Sequence, residues 1–123
     1  MNQRSIEKLI PKAIESAEKN LAENGKIARE YNGYISSFGA SVLQSGPKAA
    51  IAFYERNSEK SAQDKNPLMQ AILYLLPSNG KNYDKLFDYA LANDNKDTRD
   101  NILNAVAALK LAIRTFNLEQ GES

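Results

Sequence analysis

The clearest helical signal in this chain is the stretch DTRDNILNAVAALKLAIRTF, residues 97–116. Apolar side chains recur in it every three or four residues, which is the period of one face of an α-helix. The members of this stripe are Ile102, Val106, Leu109, Ile113 and Phe116. Either Asp97 or Thr98 is a suitable N-cap. A helix of this length with one apolar stripe must bury that stripe, so the stretch predicts a protein built from packed helices.

Five more helical segments are predicted upstream of this one. Pro11 is expected to kink or restart the first of them, because proline in a helix interior costs about 3 kcal/mol or more. Asn24-Gly25 is expected to end it. Pro47 and Pro67 each suit a first helical position, where the missing N–H has no intrahelical partner. The apolar positions of the five segments fall within residues 6–21, 31–42, 50–54, 68–76 and 83–91.

Some positions carry more specific expectations. Phe53 and Leu91 are assigned to the apolar positions of the third and fifth helices. Gly33 and Gly39 lie inside the second helix, where each interior glycine costs about 1 kcal/mol relative to alanine. Their presence predicts that a neighbouring backbone comes close to that helix. Residues 57–65 are polar and are predicted to form a mobile loop.

The composition also favours helix over strand. The 123 residues include 16 alanines but only two valines and two threonines, and alanine is the best helix former. A chain of this length holds one hydrophobic core. The prediction is an all-α fold, a compact single-domain helical bundle of about six helices spanning residues 1–123, with residues 119–123 as a frayed tail.

Catalytic chemistry finds little support in the residue types. The chain has no cysteine and no histidine, which removes thiolate nucleophiles and the commonest general base and metal ligand. Acidic residues at helix starts cap N–H groups and meet the positive end of the helix dipole, and this explanation is favoured over Mg²⁺ binding. The sequence therefore predicts no catalytic residue, no metal and no cofactor. The carboxylates weighed for a metal site are Asp84, Asp88, Asp94, Asp97 and Asp100.

Basic side chains form small local clusters. The net charge is only +1, so the chain as a whole lacks a field strong enough to attract nucleic acid. Like charges four residues apart on a helix repel each other by a few tenths of a kcal/mol, and a nearby phosphate would relieve that repulsion. Taken singly, each of these residues is typical of a solvated surface. The clusters are Arg4, Lys8 and Lys12 on the first helix, Lys26 and Arg29 in the loop before the second, Lys48 and Arg56 around the third, and Lys110 and Arg114 on the last.

A resemblance to a known family comes from the middle of the chain. Residues 31–46, YNGYISSFGASVLQSG, resemble the signature of the small subunit of type III-B CRISPR effectors, the Cmr complex. That family has a similar block running into a Gln-x-Gly break, and then a short helix ending in a Phe-Tyr pair, matched here by Phe53-Tyr54. Residues 6–13 and the alanine- and leucine-rich final helix are also similar to family sequences.

The resemblance implies a function. Subunits of this family are all-α and are not nucleases, and several copies stack along the effector beside the backbone subunits. They help to form the groove in which target RNA pairs with guide RNA. The implied partners are other Cmr subunits, especially the backbone subunit, further copies of this chain, and the backbones of guide and target RNA. With that implication, the candidate RNA-contacting residues are Arg4, Lys8, Lys12, Lys48, Arg56, Lys110 and Arg114.

Two other functions remain open at this point. One is a stand-alone helical adaptor that has no nucleic-acid role. The other is a metal-dependent hydrolase that uses the carboxylates between Asp84 and Asp100. No apolar run approaches the roughly 20 residues needed to cross a bilayer, and no signal peptide is visible at the N-terminus. The expected location is the cytoplasm, without membrane contact.

Overall fold

The computed structural model describes residues 3–57, 65–77 and 83–119. These residues form six α-helices, which confirms the predicted all-α bundle and its helix count. The prediction of a mobile loop at 57–65 falls mostly on residues 58–64, which lie outside the described ranges, as do residues 120–123 of the predicted frayed tail. The helices are α1 (Gln3–Asn20), α2 (Glu30–Ser45), α3 (Pro47–Asn57), α4 (Asn66–Leu75), α5 (Leu86–Ala92) and α6 (Lys96–Glu119).

Helix α6 packs against α1, α2 and α4. Its predicted stripe faces the core, where Ile102, Leu109 and Ile113 are fully buried. The N-cap prediction was wrong by a few residues. Asn95 immediately precedes the helix, and its Oδ1 accepts a hydrogen bond of 3.0 Å from the backbone N–H of Thr98. Asparagine is one of the best N-cap residues, and the bond to the third helical residue is the usual one.

A short hairpin joins α1 to α2. Strands β1 (Ala22–Glu23) and β2 (Lys26–Ile27) pair antiparallel around Asn24-Gly25. Both turn residues have positive φ, 54° at Asn24 and 78° at Gly25, as the tight two-residue hairpin turn requires. The expectation that Asn24-Gly25 ends the first helix was therefore wrong, because α1 ends at Asn20. The helix also continues through Pro11 without a restart.

Helices α2 and α6 approach each other closely at Gly39. A Cβ placed on Gly39 would lie 3.2 Å from Cγ1 of Val106, closer than most such contacts. The prediction of a close neighbouring backbone was therefore wrong at Gly39, where the close neighbour is a side chain. Among the described residues, no atom lies within 4 Å of such a Cβ on Gly33, so the same prediction was wrong there as well.

Two residues assigned to the core are exposed. Phe53 retains 62% of its accessible surface and Leu91 retains 52%. In α3 the buried positions are Ala50, Ile51 and Tyr54, and Phe53 points away from them. Helices α3 and α5 are short and contain few apolar positions. When one residue is assigned to the wrong face, the others are too few to show the error.

Helix α4 is the most completely buried element, and α1 is tied to it by a hydrogen bond. The hydroxyl of Ser16 donates to the carbonyl oxygen of Ala71 at 2.8 Å, with both groups buried. Leu68, Met69 and Ile72 are fully buried beside this contact. A buried hydroxyl needs such a partner, since an unpaired one would carry the cost of lost hydration.

Helix α5 is capped by a side chain from another helix. Lys85 precedes α5 but makes no side-chain capping bond. Instead, Oε2 of Glu55 on α3 accepts a hydrogen bond of 3.4 Å from the backbone N–H of Phe87. Burial raises the pKa of the Glu55 carboxyl above its ordinary value, while the Phe87 N–H and the nearby Lys85 charge oppose part of that shift. The Glu55 carboxylate therefore caps α5 but loses part of its hydration through burial.

Replacing Glu55 with glutamine should change how stability depends on pH. A raised pKa means that the folded state binds the proton more tightly than the unfolded state, so wild-type stability falls as pH rises above about 4.5 through the folded pKa. Glu55→Gln keeps an acceptor oxygen but does not titrate. We expect the free energy of unfolding of the variant, relative to wild type, to increase between pH 4 and pH 7 in urea denaturation.

The matched variant for that experiment is Glu55→Ala, which has no acceptor for the Phe87 N–H. It should be less stable than Glu55→Gln at every pH, because the start of α5 then loses its cap. A difference between Glu55→Gln and wild type that stays constant or falls with pH would contradict the expected sign.

Candidate nucleic-acid interface

Two of the predicted basic residues lie together in a groove beside α1. Lys8 and Lys12 line it from α1, and Asn101 and Asn104 line it from α6. The groove has a volume of about 330 Å³, and none of the described residues that line it is acidic. We call it the α1 groove. Its remaining lining residues are Ser5, Leu9, Leu75, Leu76 and Pro77.

The helical period of α1 produces this arrangement. Ser5, Lys8, Leu9 and Lys12 are three or four residues apart and so share one face of the helix. Leu9 is half-buried and belongs to the apolar layer that packs on the core, which holds this face against its neighbours. Arg4 is exposed one turn before Lys8 and extends the basic stripe beyond the α1 groove.

Tyr74 of α4 lies beside the C-terminal end of the basic stripe on α1. The Nζ atoms of Lys12 and Lys19 lie 5.6 Å and 5.4 Å from the centre of its ring, within the range of cation–π attraction. Lys19 was missed by the sequence reasoning, although it lies seven residues after Lys12 on the same helix. The Tyr74 ring attracts both ammonium groups, and this attraction restricts the Lys12 side chain more than solvation alone would.

The chemistry of the α1 groove suits a phosphate backbone. Lysine ammonium, asparagine amide and serine hydroxyl groups are the side chains that commonly contact phosphate oxygens and sugars. Asn101 and Asn104 were also missed, because asparagine on a helix has no sequence pattern that marks it as a ligand. Only the packing of α1 on α6 brings these amides beside the two lysines.

The other predicted residues lie elsewhere. Lys48 on α3 forms a 2.8 Å ion pair with Asp94, so its charge is already offset. Arg56 is exposed in the last turn of α3. Lys110 lines a different groove, between α2 and α6, and Arg114 is exposed one turn after it. None of the four lines the α1 groove.

A further basic residue lies near aromatic rings at the start of α4. The Nζ of Lys65 is 4.9 Å from the ring centre of Tyr34 and 5.7 Å from that of Tyr54. Tyr54 also donates a hydrogen bond to the carbonyl oxygen of Tyr34 at 3.4 Å, and burial raises the pKa of its phenol. These tyrosines therefore pack against each other within the fold.

The acidic residues considered for a metal site, from Asp84 to Asp100, all lie within residues 83–119. Within the described ranges 3–57, 65–77 and 83–119, no three carboxylates lie close enough to hold a metal ion together. Asp94 is the ion-pair partner of Lys48. In the same ranges, no helix has the length and apolar character that spanning a membrane requires.

Comparison with known protein families identifies a family model that matches most of the chain. A family model described as "CRISPR-associated protein (Cas_Cmr5)" matches residues 2–114. The matched segment runs from the beginning of α1 into the second half of α6, and so includes every residue that lines the α1 groove. Searches of curated proteins and of solved structures give no match.

Proposed function

Because the chain belongs to the CRISPR-associated Cas_Cmr5 family, we propose that it is a non-catalytic small subunit of a type III-B RNA-guided effector, the Cmr complex. In this proposal it stacks beside the backbone subunits and further copies of itself. Its basic residues line the groove that holds guide and target RNA. The observation that supports the RNA contact is that Lys8 and Lys12 line one groove together with two side-chain amides, and that no described residue of its lining is acidic.

The proposed contact is electrostatic and modest for one subunit. Each lysine that neutralises a phosphate releases a condensed counterion, so binding weakens as salt rises. Contacts to phosphate position a strand without reading its sequence. Several stacked copies on one RNA would bind more tightly than one, because each bound subunit raises the effective concentration of the next site.

The residue types support the non-catalytic part of the proposal. Histidine is the commonest general acid–base group and cysteine is an intrinsically strong nucleophile, and the chain has neither. The lack of cysteine also suits the cytoplasm, where guide RNA and target transcripts meet. Cleavage of the target would then belong to other subunits.

Removing both groove lysines should weaken RNA binding by the assembled complex. If Lys8 and Lys12 each neutralise one phosphate of a single strand, the slope of log K against log salt becomes shallower by about 1.4 in Lys8→Ala, Lys12→Ala. Filter binding of RNA at roughly 50 to 300 mM salt, a range that includes the physiological ionic strength, measures this slope.

The control removes two lysines that do not line the α1 groove. Lys26 and Lys96 are exposed, on β2 and at the start of α6. Lys26→Ala, Lys96→Ala should leave the salt slope close to that of the wild type. Equal slopes for the groove variant and the wild type would remove the α1 groove from the RNA path.

A further inference from the structure

A second groove, between α2 and α6, has a different chemical character. It has a volume of about 280 Å³ and is lined mainly by aliphatic side chains and small residues. We call it the α2–α6 groove. The residues that define it are Ile35, Gly39, Leu43, Leu103, Val106 and Lys110.

The α2–α6 groove leaves apolar side-chain surface exposed to solvent. Leu43 retains 59% of its accessible surface at the edge of the groove. Ala40 and Ala107 also line it, and their small side chains leave the floor open. Gly39 lets α2 approach α6 so closely that Val106 forms part of this floor. An anchor side chain from outside would remove this surface from water.

The charge of the lining restricts the kind of occupant. Of the described residues that line the α2–α6 groove, Lys110 is the one with an ionisable side chain, and none is acidic. Arg114 is exposed one turn further along α6. A segment with aliphatic anchors and a carboxylate would match both features, since it would fill the apolar floor and pair with the ammonium group.

We propose that the α2–α6 groove is a docking site for another protein, and that its occupant is an amphipathic helix carrying aliphatic anchors and an Asp or Glu. The anchors pack against Leu43 and Val106, and the carboxylate pairs with Lys110. Laying the apolar face of a helix into an apolar groove is a common mode of recognition. The inference rests on the proposed function in one respect, that the partner is another protein subunit of the same complex.

RNA fits the α2–α6 groove less well than a protein does. Stacking of bases requires aromatic side chains, and the lining contains none. One lysine neutralises one phosphate, whereas the exposed leucine favours an apolar partner. Lys110 is therefore assigned to a protein contact, while the RNA contact of the proposed function remains with Lys8 and Lys12 in the α1 groove.

The test compares two leucines with similar exposure. Leu43→Asp places a charge on the rim of the α2–α6 groove, and Leu91→Asp makes the same change on α5, outside it. Each variant is reconstituted with the other Cmr subunits and guide RNA, and its incorporation is measured by native mass spectrometry across a concentration series. Leu43→Asp should weaken incorporation by roughly 30-fold or more, because an unpaired charge then faces the aliphatic anchors of the occupant, and Leu91→Asp should match wild type.

A charge reversal tests the ionic part. Lys110→Glu should weaken incorporation, whereas Lys96→Glu, on the same helix but outside the lining, should not. Normal incorporation of Leu43→Asp, or equal loss in Leu91→Asp, would overturn the docking site while leaving the proposed function standing. A Lys110→Glu variant that incorporates normally but loses RNA binding would assign this surface to RNA. Failure of the wild type to join the complex would overturn the proposed function itself.

Discussion

Replacing Phe38 with alanine is expected to lower the free energy of unfolding by about 3–5 kcal/mol, as for other fully buried phenylalanines. Phe38 has no accessible surface and lies in the middle of α2. Its ring packs edge-to-face on Tyr54 of α3, with 5.2 Å between ring centres. The substitution leaves a cavity between α2 and α3 that the surrounding helices fill only partly, and urea denaturation measures the loss.

Phe53 provides a matched control for this substitution. Its ring also contacts Tyr54, at 6.0 Å between centres, but 62% of the residue is exposed. Phe53→Ala should therefore change the free energy of unfolding by less than about 1 kcal/mol, as most surface substitutions do. If Phe38→Ala and Phe53→Ala lowered the free energy of unfolding by comparable amounts, burial of the α2 face would not be what stabilises the bundle.

The second large effect is expected at the contact between α1 and α4. Ser16→Asp places a carboxylate in a site with no accessible surface, beside the carbonyl oxygen of Ala71, which accepts the Ser16 hydrogen bond. The Asn20 amide, which donates to the Ser16 hydroxyl oxygen at 3.3 Å, is a neutral donor and offsets only part of the lost hydration. Burial of a charge with no opposite charge beside it raises the pKa of such a carboxyl by about 3 units. Since each unit corresponds to about 1.4 kcal/mol, the variant should lose on the order of 4 kcal/mol at pH 7.

The pH dependence separates this charge effect from simple crowding. The raised pKa means that the destabilisation of Ser16→Asp grows as pH rises from about 4 towards 7, because the folded state must then hold the ionised form or keep its proton. Ser36→Asp is the control, since Ser36 is an exposed helical serine whose hydroxyl bonds to the Asn32 carbonyl oxygen at 3.2 Å. It should lose less than about 1 kcal/mol. A Ser16→Asp deficit that is independent of pH would show that volume alone is responsible.

The helices that could be predicted from sequence are those with a long, regular apolar pattern. In α6, three members of the stripe are fully buried, and in α4 nearly every apolar residue is buried. Pro67 also lies in the first turn of α4, as predicted. In such segments many positions agree on one face, so a single misplaced residue does not change the prediction.

Predictions failed where only a few residues carried the signal. Asn24-Gly25 is compatible both with the end of a helix and with a hairpin turn, and the short strands around it have too few residues to show alternation. Phe53 and Leu91 look like core residues because they are large and apolar, but their exposure depends on which neighbours lie beside two short helices.

The candidate site was only partly predictable. Lys8 and Lys12 could be placed on one helix face from their spacing alone. Asn101 and Asn104 join them only because α1 packs on α6, a contact between residues nearly 100 positions apart in sequence. Likewise, the pairing of Lys48 with Asp94 joins α3 to the segment before α6 and has no local pattern.

The central place of α6 has a consequence for synthesis on the ribosome. Helices α1, α2 and α4 all pack against this 24-residue helix, yet α6 is the last of the described helices to be translated. Until it emerges from the exit tunnel, the nascent chain carries apolar helix faces that have no final partner. Nascent chains with such surface are prone to aggregate, so a stall before residue 96 leaves a species that depends on chaperones.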